Sequence, residues 1–253
     1  MTAASVGAGF LIVNADDWGR DSHTTRCILD CVKRKAVSAV SAMVFMDDSQ
    51  RAAALAREHA VDAGLHLNLT EAFTGPCPST LAEHQRKLAA YLRRPRLSYA
   101  VFNPTLTNSF EYVVAAQLEE FHRLFETPPA RVDGHHHAHL CANVLLKRLL
   151  PSGTLVRRSF SFEPGQRVLN RTYRRIVDRI LKRRYRTVDG LFSLAPTSAP
   201  ERLERIRSLA VSGVIEVETH PTQADEYAFL MGEDAVYWTR GVRTGSFAML
   251  GWS

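Results

Sequence analysis

The chain has 253 residues, of which 45% are hydrophobic and 23% charged, and its formal net charge is +6. This composition is ordinary for a soluble globular enzyme and excludes a disordered chain, a fibrous repeat and an integral membrane protein. A chain of this length buries about 70–75% of its unfolded surface, so one α/β domain over residues 1–253 is expected. The start of the chain is small and uncharged. The apolar run after it is too short for a signal peptide or a spanning helix, so we expect a cytoplasmic protein.

Apolar runs alternate with stretches of helical periodicity along the chain. Short apolar runs are typical of buried strands, and apolar residues three or four positions apart are typical of helices. This order predicts a parallel sheet. Polar groups that follow the strands favour a distorted (β/α) barrel of the TIM type, in one domain, over a flat sheet. The predicted strands are at 10–13, 37–45, 63–65, 131–132 and 214–219, and the predicted helices are at 24–34, 49–59, 108–125, 143–150 and 199–209.

Two segments depart from this alternation. Residues 74–107 are rich in proline and basic residues and have no clean period, which predicts a lid over the site. Residues 157–186 contain eleven Arg or Lys against two acids, and apolar residues recur there at helical spacing. This pattern predicts a basic amphipathic helix. Its charged face could contact an anionic glycan or a membrane surface, or could simply face water, and no nucleic-acid partner is expected.

Acidic residues and histidines directly follow four of the predicted strands. Because the C-terminal ends of parallel strands meet at one rim, these side chains should converge. At the end of the first strand, Asp16 and Asp17 are adjacent. One carboxylate there could bind a divalent metal while the other takes a proton from water. The alternative is a turn in which both carboxylates cap backbone N–H groups.

Histidines supply the strongest sign of a metal site. Residues 135–139 hold four imidazoles in five positions, which are costly to bury without partners. Only some of them can reach one ion, and a solvated His-rich loop is the alternative. His66 and His220 each end an apolar run, where either could instead bond to the core or to solvent. His220 suits a general acid near neutral pH.

One Asp and two His around an open position form a ligand set for hydrolysis by a divalent ion. Imidazole favours Zn²⁺, Co²⁺ or Ni²⁺, whereas a water-rich site with a carboxylate suits Mg²⁺ or Mn²⁺. We therefore expect one divalent metal ion, with Mg²⁺ or Zn²⁺ foremost.

At these residues the chain resembles the YdjC-like carbohydrate deacetylases. The resemblance covers about residues 10–225 and consists of four blocks in the family's order. Trp18 stands where the family usually has Phe, and residues 152–210 contain no matching motif. The four blocks are 11–19 (LIVNADDWG), 64–70 (GLHLNLT), 133–139 (DGHHHAH) and 216–221 (EVETHP).

The resemblance implies a distorted barrel related to the polysaccharide deacetylases. It also implies a divalent metal held by Asp17, His66 and His135. Asp16 would be the catalytic base and His220 the general acid. The implied reaction removes the N-acetyl group from an N-acetylated sugar or glycoconjugate, with water as the nucleophile.

Four further residues of these blocks are expected to bind the substrate: Asn68, Thr70, His137 and His139.

Two other functions stay open on the sequence alone. The same metal site could hydrolyse another bond, such as a phosphoester, or the chain could be a catalytically silent sugar-binding protein on the same fold. The presence of Asp16 beside a complete set of expected ligands argues against a silent protein.

Overall fold

The computed structural model describes residues 9–94, 97–162 and 168–251. Some predictions fall outside these residues. They concern the uncharged start of the chain at 1–8, residues 95–96 of the expected lid, and residues 163–167 of the expected basic helix.

The described strands form one parallel seven-stranded sheet in the order β5-β4-β3-β2-β1-β7-β6. The sheet curls into a half-barrel covered by helices, which confirms the predicted fold class. Its two edges are β5 and β6, so the barrel is open between them. The strands are β1 (Phe10–Trp18), β2 (Ala39–Ala42), β3 (Ala63–Leu67), β4 (Arg131–Gly134), β5 (Leu155–Val156), β6 (Gly190–Ser193) and β7 (Val214–Thr219).

Helices connect the strands and cover the outer face of the sheet. None of the described helices is both long and apolar enough to cross a lipid bilayer. Short 3₁₀ segments lie at Pro104–Leu106, His135–Leu140 and Phe247–Leu250. The α-helices are α1 (Ser22–Lys33), α2 (Ser49–Glu58), α3 (Ser79–Leu92), α4 (Leu97–Ala100), α5 (Thr107–Phe125), α6 (Ala142–Lys147), α7 (Val168–Lys182), α8 (Pro200–Leu209), α9 (Ala224–Met231) and α10 (Glu233–Thr239).

Alternation along the strands separates an apolar outer face from a polar inner one. In β1, Leu11 and Val13 pack into the main core under the helices, whereas Phe10 and Ile12 belong to a smaller cluster on the other face. Asp16 lies on the same inner face as Ile12, near the C-terminal end of the strand. The same alternation in the other strands builds a buried set that we call the inner polar cluster. Its members are Asn14, Asp16, Ser41, His66, Arg131, Asp133, Arg157, Glu216 and Glu218.

Gly64 makes room for one of the two buried arginines of this cluster. A Cβ atom at Gly64 would lie 2.7 Å from the guanidinium carbon of Arg131. The missing side chain lets Arg131 cross β3 and donate to the carbonyl oxygen of Val40 at 2.6 Å and to Asn14 Oδ1 at 3.1 Å.

A lid over residues 74–107 stays a prediction, but most of that segment is not irregular. It contains helix α3, whose Leu81, Leu88 and Leu92 are buried in the core. The buried face also carries Gln85, whose side chain donates to the backbone carbonyl oxygens of Asn68 and Glu71 at 3.1 and 2.6 Å. A polar residue at this apolar position breaks the period that would reveal a helix.

The predicted basic helix over residues 157–186 is also corrected. The helix that forms, α7, spans Val168–Lys182, and Val177 and Leu181 attach it to the core. Arg157 does not belong to it. Arg157 directly follows β5 and is completely buried, since Leu155 and Arg157 lie on the inner face of the sheet.

Candidate active site

The strand ends bring the three predicted metal ligands together. Asp17 Oδ1 lies 3.0 Å from His135 Nδ1 and 3.4 Å from His66 Nε2. One ligand atom from each residue lies within 4.8 Å of the other two, and all three residues are buried.

An irregularity in β1 explains how two adjacent aspartates serve one site. The pairing of β1 with β2 shifts register between Ala15 and Trp18, as in a β-bulge. Within this irregularity Asp17 has a φ of 70°, a left-handed conformation that Asp tolerates better than most residues. Both carboxylates therefore reach the same side of the sheet, although neighbours in a regular strand point to opposite sides.

These residues fit a divalent cation. Among the described residues, Asp17 Oδ1 and His66 Nε2 are buried and have no hydrogen-bond partner. Buried polar atoms without partners are costly, and these two face each other. A carboxylate and two imidazoles are suitable donors for the divalent ions of hydrolytic enzymes.

His66 is held in the orientation that a ligand needs. Its Nδ1 lies 2.6 Å from Asp133 Oδ1, and Ser41 Oγ donates to Asp133 Oδ2 at 2.6 Å. A carboxylate on Nδ1 leaves Nε2 directed at Asp17. Burial alone would lower the pKa of His66, but the carboxylates of Asp16 and Asp133 raise it to about 10. The cluster thus favours a positive charge at this position.

Arg157 organises the inner polar cluster, and the sequence reasoning missed it. Its Nη1 and Nη2 donate to the two oxygens of Asp16, both at 2.7 Å. Its Nε donates to Glu216 at 2.8 Å, and Nη1 also donates to Glu218 at 3.1 Å. Burial would lower the pKa of Arg157, but Asp133 and the other carboxylates raise it well above its usual range, so the guanidinium stays charged.

This arginine keeps Asp16 ionised. Burial alone would raise the pKa of Asp16, but Arg157 and His66 offset that effect and lower it. Asp16 Oδ2 lies 3.9 Å from His66 Nε2, directly beside the three converging ligands. The position of Arg157 immediately after the apolar pair Leu155-Val156 was the signal that could have revealed it, because the other site residues follow apolar runs in the same way.

A second group of titratable residues adjoins Asp16 on the side of β7. Side-chain atoms of Asp16, Glu218 and His220 lie within 4.8 Å of one another. Burial and the nearby Asp16 raise the pKa of Glu218 well above its usual range. The backbone N–H of His220 donates to Glu226 at 2.8 Å, which fixes the turn after β7. His220 is thus close to Asp16, which itself adjoins the metal ligands.

Of the four predicted substrate contacts, His137 alone has an accessible side chain, with 26% exposed. Its backbone is left-handed, and its ring packs edge-on against Phe160 with ring centres 4.6 Å apart. Its Nε2 lies 3.4 Å from Glu218 Oε2. His137 therefore lies between the inner polar cluster and solvent.

Asn68, Thr70 and His139 are buried and bond to neighbouring protein groups, and their contact with substrate stays a prediction. Asn68 Oδ1 accepts from the backbone N–H groups of Thr70 and Glu71 at 3.2 and 2.9 Å, so it shapes the loop after β3. Thr70 Oγ1 lies 3.0 Å from His136 Nδ1. Burial lowers the pKa of His139 to about 4, and its Nε2 donates to the carbonyl oxygen of Arg157 at 2.9 Å. The bonds of these three residues fix the loop after β3, His136 and the backbone of Arg157.

One cavity among the described residues lies away from the site. It has a volume of about 410 Å³ and is lined by residues such as Val37, Ala60 and Trp238, at the other end of the sheet. None of the converging acids and histidines lines it, so this cavity is not part of the candidate active site.

Comparison with known proteins agrees with this arrangement. A chitooligosaccharide deacetylase of Serratia marcescens is 33% identical over 132 residues, which cover 51% of this chain and 50% of that protein. A second one, from Yersinia pestis (strain Pestoides F), is 29% identical over 135 residues, covering 53% and 52%. The match thus spans about half the length of each of these curated relatives.

Two solved structures share the fold. One is a protein of Enterococcus faecalis V583 whose proposed role is cleavage of cellobiose phosphate, with a TM-score of 0.67, 18% identity, and coverage of 96% of this chain and 99% of that chain. The other is a family 4 acetyl xylan esterase of Clostridium thermocellum in complex with a cobalt ion, with a TM-score of 0.50, 11% identity, and coverage of 95% and 89%.

The sequence profile of the family described as YdjC-like protein matches residues 10–245, which include every strand and all the converging side chains. The chain belongs to this family.

Proposed function

We propose that this protein is a metal-dependent deacetylase that removes the N-acetyl group from an N-acetylated sugar or glycoconjugate. The observation that carries the proposal is the buried set Asp17, His66 and His135 directly beside an ionised Asp16. The partial similarity to chitooligosaccharide deacetylases supports an amino sugar as the substrate.

Asp17, His66 and His135 would hold the metal. A divalent ion bound there supplies Lewis acidity, which polarises the amide carbonyl and makes water more acidic. Mg²⁺ and Zn²⁺ are our first candidates, and Mn²⁺, Co²⁺ and Ni²⁺ also suit these ligands.

Asp16 would be the base that takes the proton from the attacking water. It is ionised, and Arg157 clamps both of its oxygens, so its orientation is fixed before substrate arrives. His220 would donate a proton to the departing sugar amine. An amine is a poor leaving group without that proton, and a side-chain atom of His220 lies within 4.8 Å of one of Asp16.

The partial similarity to two chitooligosaccharide deacetylases favours an acetamide over a phosphoester as the substrate. A silent sugar-binding protein would have no use for a clamped base beside a ligand set.

The test is acetate release from N-acetylated mono- and oligosaccharides by metal-stripped protein reloaded with each candidate ion. Asp16→Asn should lower kcat by roughly 10²–10⁴-fold while metal binding by calorimetry persists. Asp234→Asn, an exposed aspartate on α10, is the matched control and should keep full activity. Phosphate release from sugar phosphates without acetate release would favour the phosphoesterase, and sugar binding without either product would favour the silent protein.

His220 has its own test, because its proposed role depends on the leaving group. His220→Gln should impair hydrolysis of the sugar acetamide far more than hydrolysis of an activated aryl acetate, whose phenolate leaves without a proton. Equal losses on both substrates would contradict a role as general acid.

A further inference from the structure

Helix α7 carries an exposed row of cations on the side that faces away from the core. Arg171, Arg175, Arg179 and Lys182 follow one another at spacings of four, four and three residues, and all four are exposed. Residues at this spacing lie on one face of a helix. We call these four residues the basic face.

The acidic residue of the helix sequence does not neutralise this face. Asp178 lies on the inner side, where Arg158 Nη2 donates to it at 2.5 Å and the backbone N–H of Ser159 donates to it at 3.1 Å. Arg179 and Lys182 form no ion pair with any residue in the described ranges. Arg171 and Arg175 lie over the ring of Phe162, with their guanidinium carbons 5.3 and 5.4 Å from its centre, a contact that does not neutralise their charge. The basic face therefore keeps its positive charge at the surface.

One exposed apolar side chain borders the basic face. Ile176 is 51% exposed, and Arg179 follows it at the i+3 position of the helix. An exposed aliphatic side chain beside a row of cations is typical of helices that lie in the interface of an anionic membrane. A nucleic acid or a small anion would match the charge but would have no use for Ile176.

Helix α7 is connected to the active site through Arg174. This residue donates to the carbonyl oxygen of Phe160, whose ring packs against His137.

We infer that the basic face, with Ile176, binds peripherally to the surface of an anionic phospholipid membrane. Arginine and lysine side chains supply the attraction to lipid phosphates, and Ile176 enters the headgroup region. Arg174, which is anchored on Phe160, is not part of this contact.

The experiment is co-sedimentation of the full-length protein with vesicles of phosphatidylcholine alone or mixed with phosphatidylglycerol. The protein should bind the mixed vesicles at low salt and dissociate from them at high salt, and it should not bind vesicles of pure phosphatidylcholine. The triple variant Arg175→Glu/Arg179→Glu/Lys182→Glu should lower the partition coefficient about a hundredfold, since each cation contributes about fivefold. Ile176→Ser should weaken binding without changing its salt dependence.

The matched control is Arg26→Glu/Lys33→Glu/Arg86→Glu, which makes the same charge change at exposed positions on α1 and α3. It should bind like the unchanged protein, and both triple variants should keep their circular dichroism spectrum. An equal loss in the control would show a response to net charge alone and overturn the inference. No binding to anionic vesicles, or binding to heparin or duplex DNA in its place, would overturn it as well.

Discussion

Arg157 and Arg179 lie in the same basic stretch of sequence, yet they have opposite environments. Arg157 is fully buried and donates to Asp16, Glu216 and Glu218. Arg179 is exposed on the basic face of α7 and has no ion-pair partner among the described residues. The difference comes from their elements, since Arg157 extends the inner face of β5 and Arg179 lies on the outer side of a surface helix. Local charge density therefore says little about what an arginine does.

The largest expected effect is at the buried arginine. Arg157→Met keeps the length of the side chain but leaves the carboxylates of Asp16, Glu216 and Glu218 without their partner. Removing one member of a buried ion-pair network costs about 3–5 kcal/mol, so the free energy of unfolding should fall by that amount. Urea unfolding followed by circular dichroism measures it. Arg179→Met is the matched control and should change stability by less than about 0.5 kcal/mol. Similar values for both would remove the distinction between the two arginines.

The next largest effect is on metal binding at the centre of the buried region. Asp17→Asn replaces a charged ligand with a neutral one, so affinity for Zn²⁺ or Co²⁺ should fall at least about a hundredfold in calorimetry. Asp234→Asn should bind the metal like the unchanged protein. If Asp17→Asn kept full affinity, the metal would have to lie elsewhere, and the convergence of His66 and His135 on Asp17 would need another explanation.

A smaller effect is expected where the backbone makes room for the other buried arginine. Gly64→Ala would place a methyl group 2.7 Å from the Arg131 guanidinium. Overpacking of this kind costs about 1–3 kcal/mol, which thermal unfolding would detect as a lower Tm. Gly153→Ala, at an exposed position with nothing within 4 Å of the added Cβ, controls for the loss of a glycine. Because Gly153 has a φ of 79°, that control carries some backbone strain of its own. An unchanged Tm for Gly64→Ala would show that Arg131 can move aside.

The smallest effect on stability is expected on the basic face. Arg175→Glu/Arg179→Glu/Lys182→Glu should leave the free energy of unfolding within about 1 kcal/mol of the unchanged protein, because exposed charges contribute little. A large loss in urea unfolding would mean that the basic face is a structural element, and the contrast with Arg157 would then be one of degree.

The sequence was sufficient for the fold class and for the convergence of acids and histidines at the strand ends. The convergence follows from the rule that polar residues after apolar strands meet at one rim of a parallel sheet. The choice of Asp17, His66 and His135 among them came from the resemblance to the YdjC-like deacetylases. Strand β6 was missed because no acid or histidine follows Gly190–Ser193 directly to mark a strand end. Helix α3 was missed because Gln85 occupies a core position, where only the distant Asn68 loop explains its presence.

The inner polar cluster could not be predicted from local sequence patterns, for a different reason. Arg157 resembles its basic neighbours in sequence, and only its partners, Asp16 and Glu216, distinguish it. Those partners lie on other strands, far away along the chain. Likewise, nothing in the residues around Asn68 and His139 shows that they are buried and bond to neighbouring protein groups.

The pairing of β1 with β7 has a consequence for how the protein folds. Leu11 lies opposite Ile215 in the sheet, so the first strand gains its second neighbour only when nearly the whole chain is available. Pairings between distant segments are slow, because a long loop must close before any contact compensates for the lost entropy. Until β5 and β7 join the sheet, the carboxylate of Asp16 lacks both its ion pair with Arg157 and its buried surroundings. We therefore expect slow folding of the barrel, with the burial and ion pairing of Asp16 among its last steps.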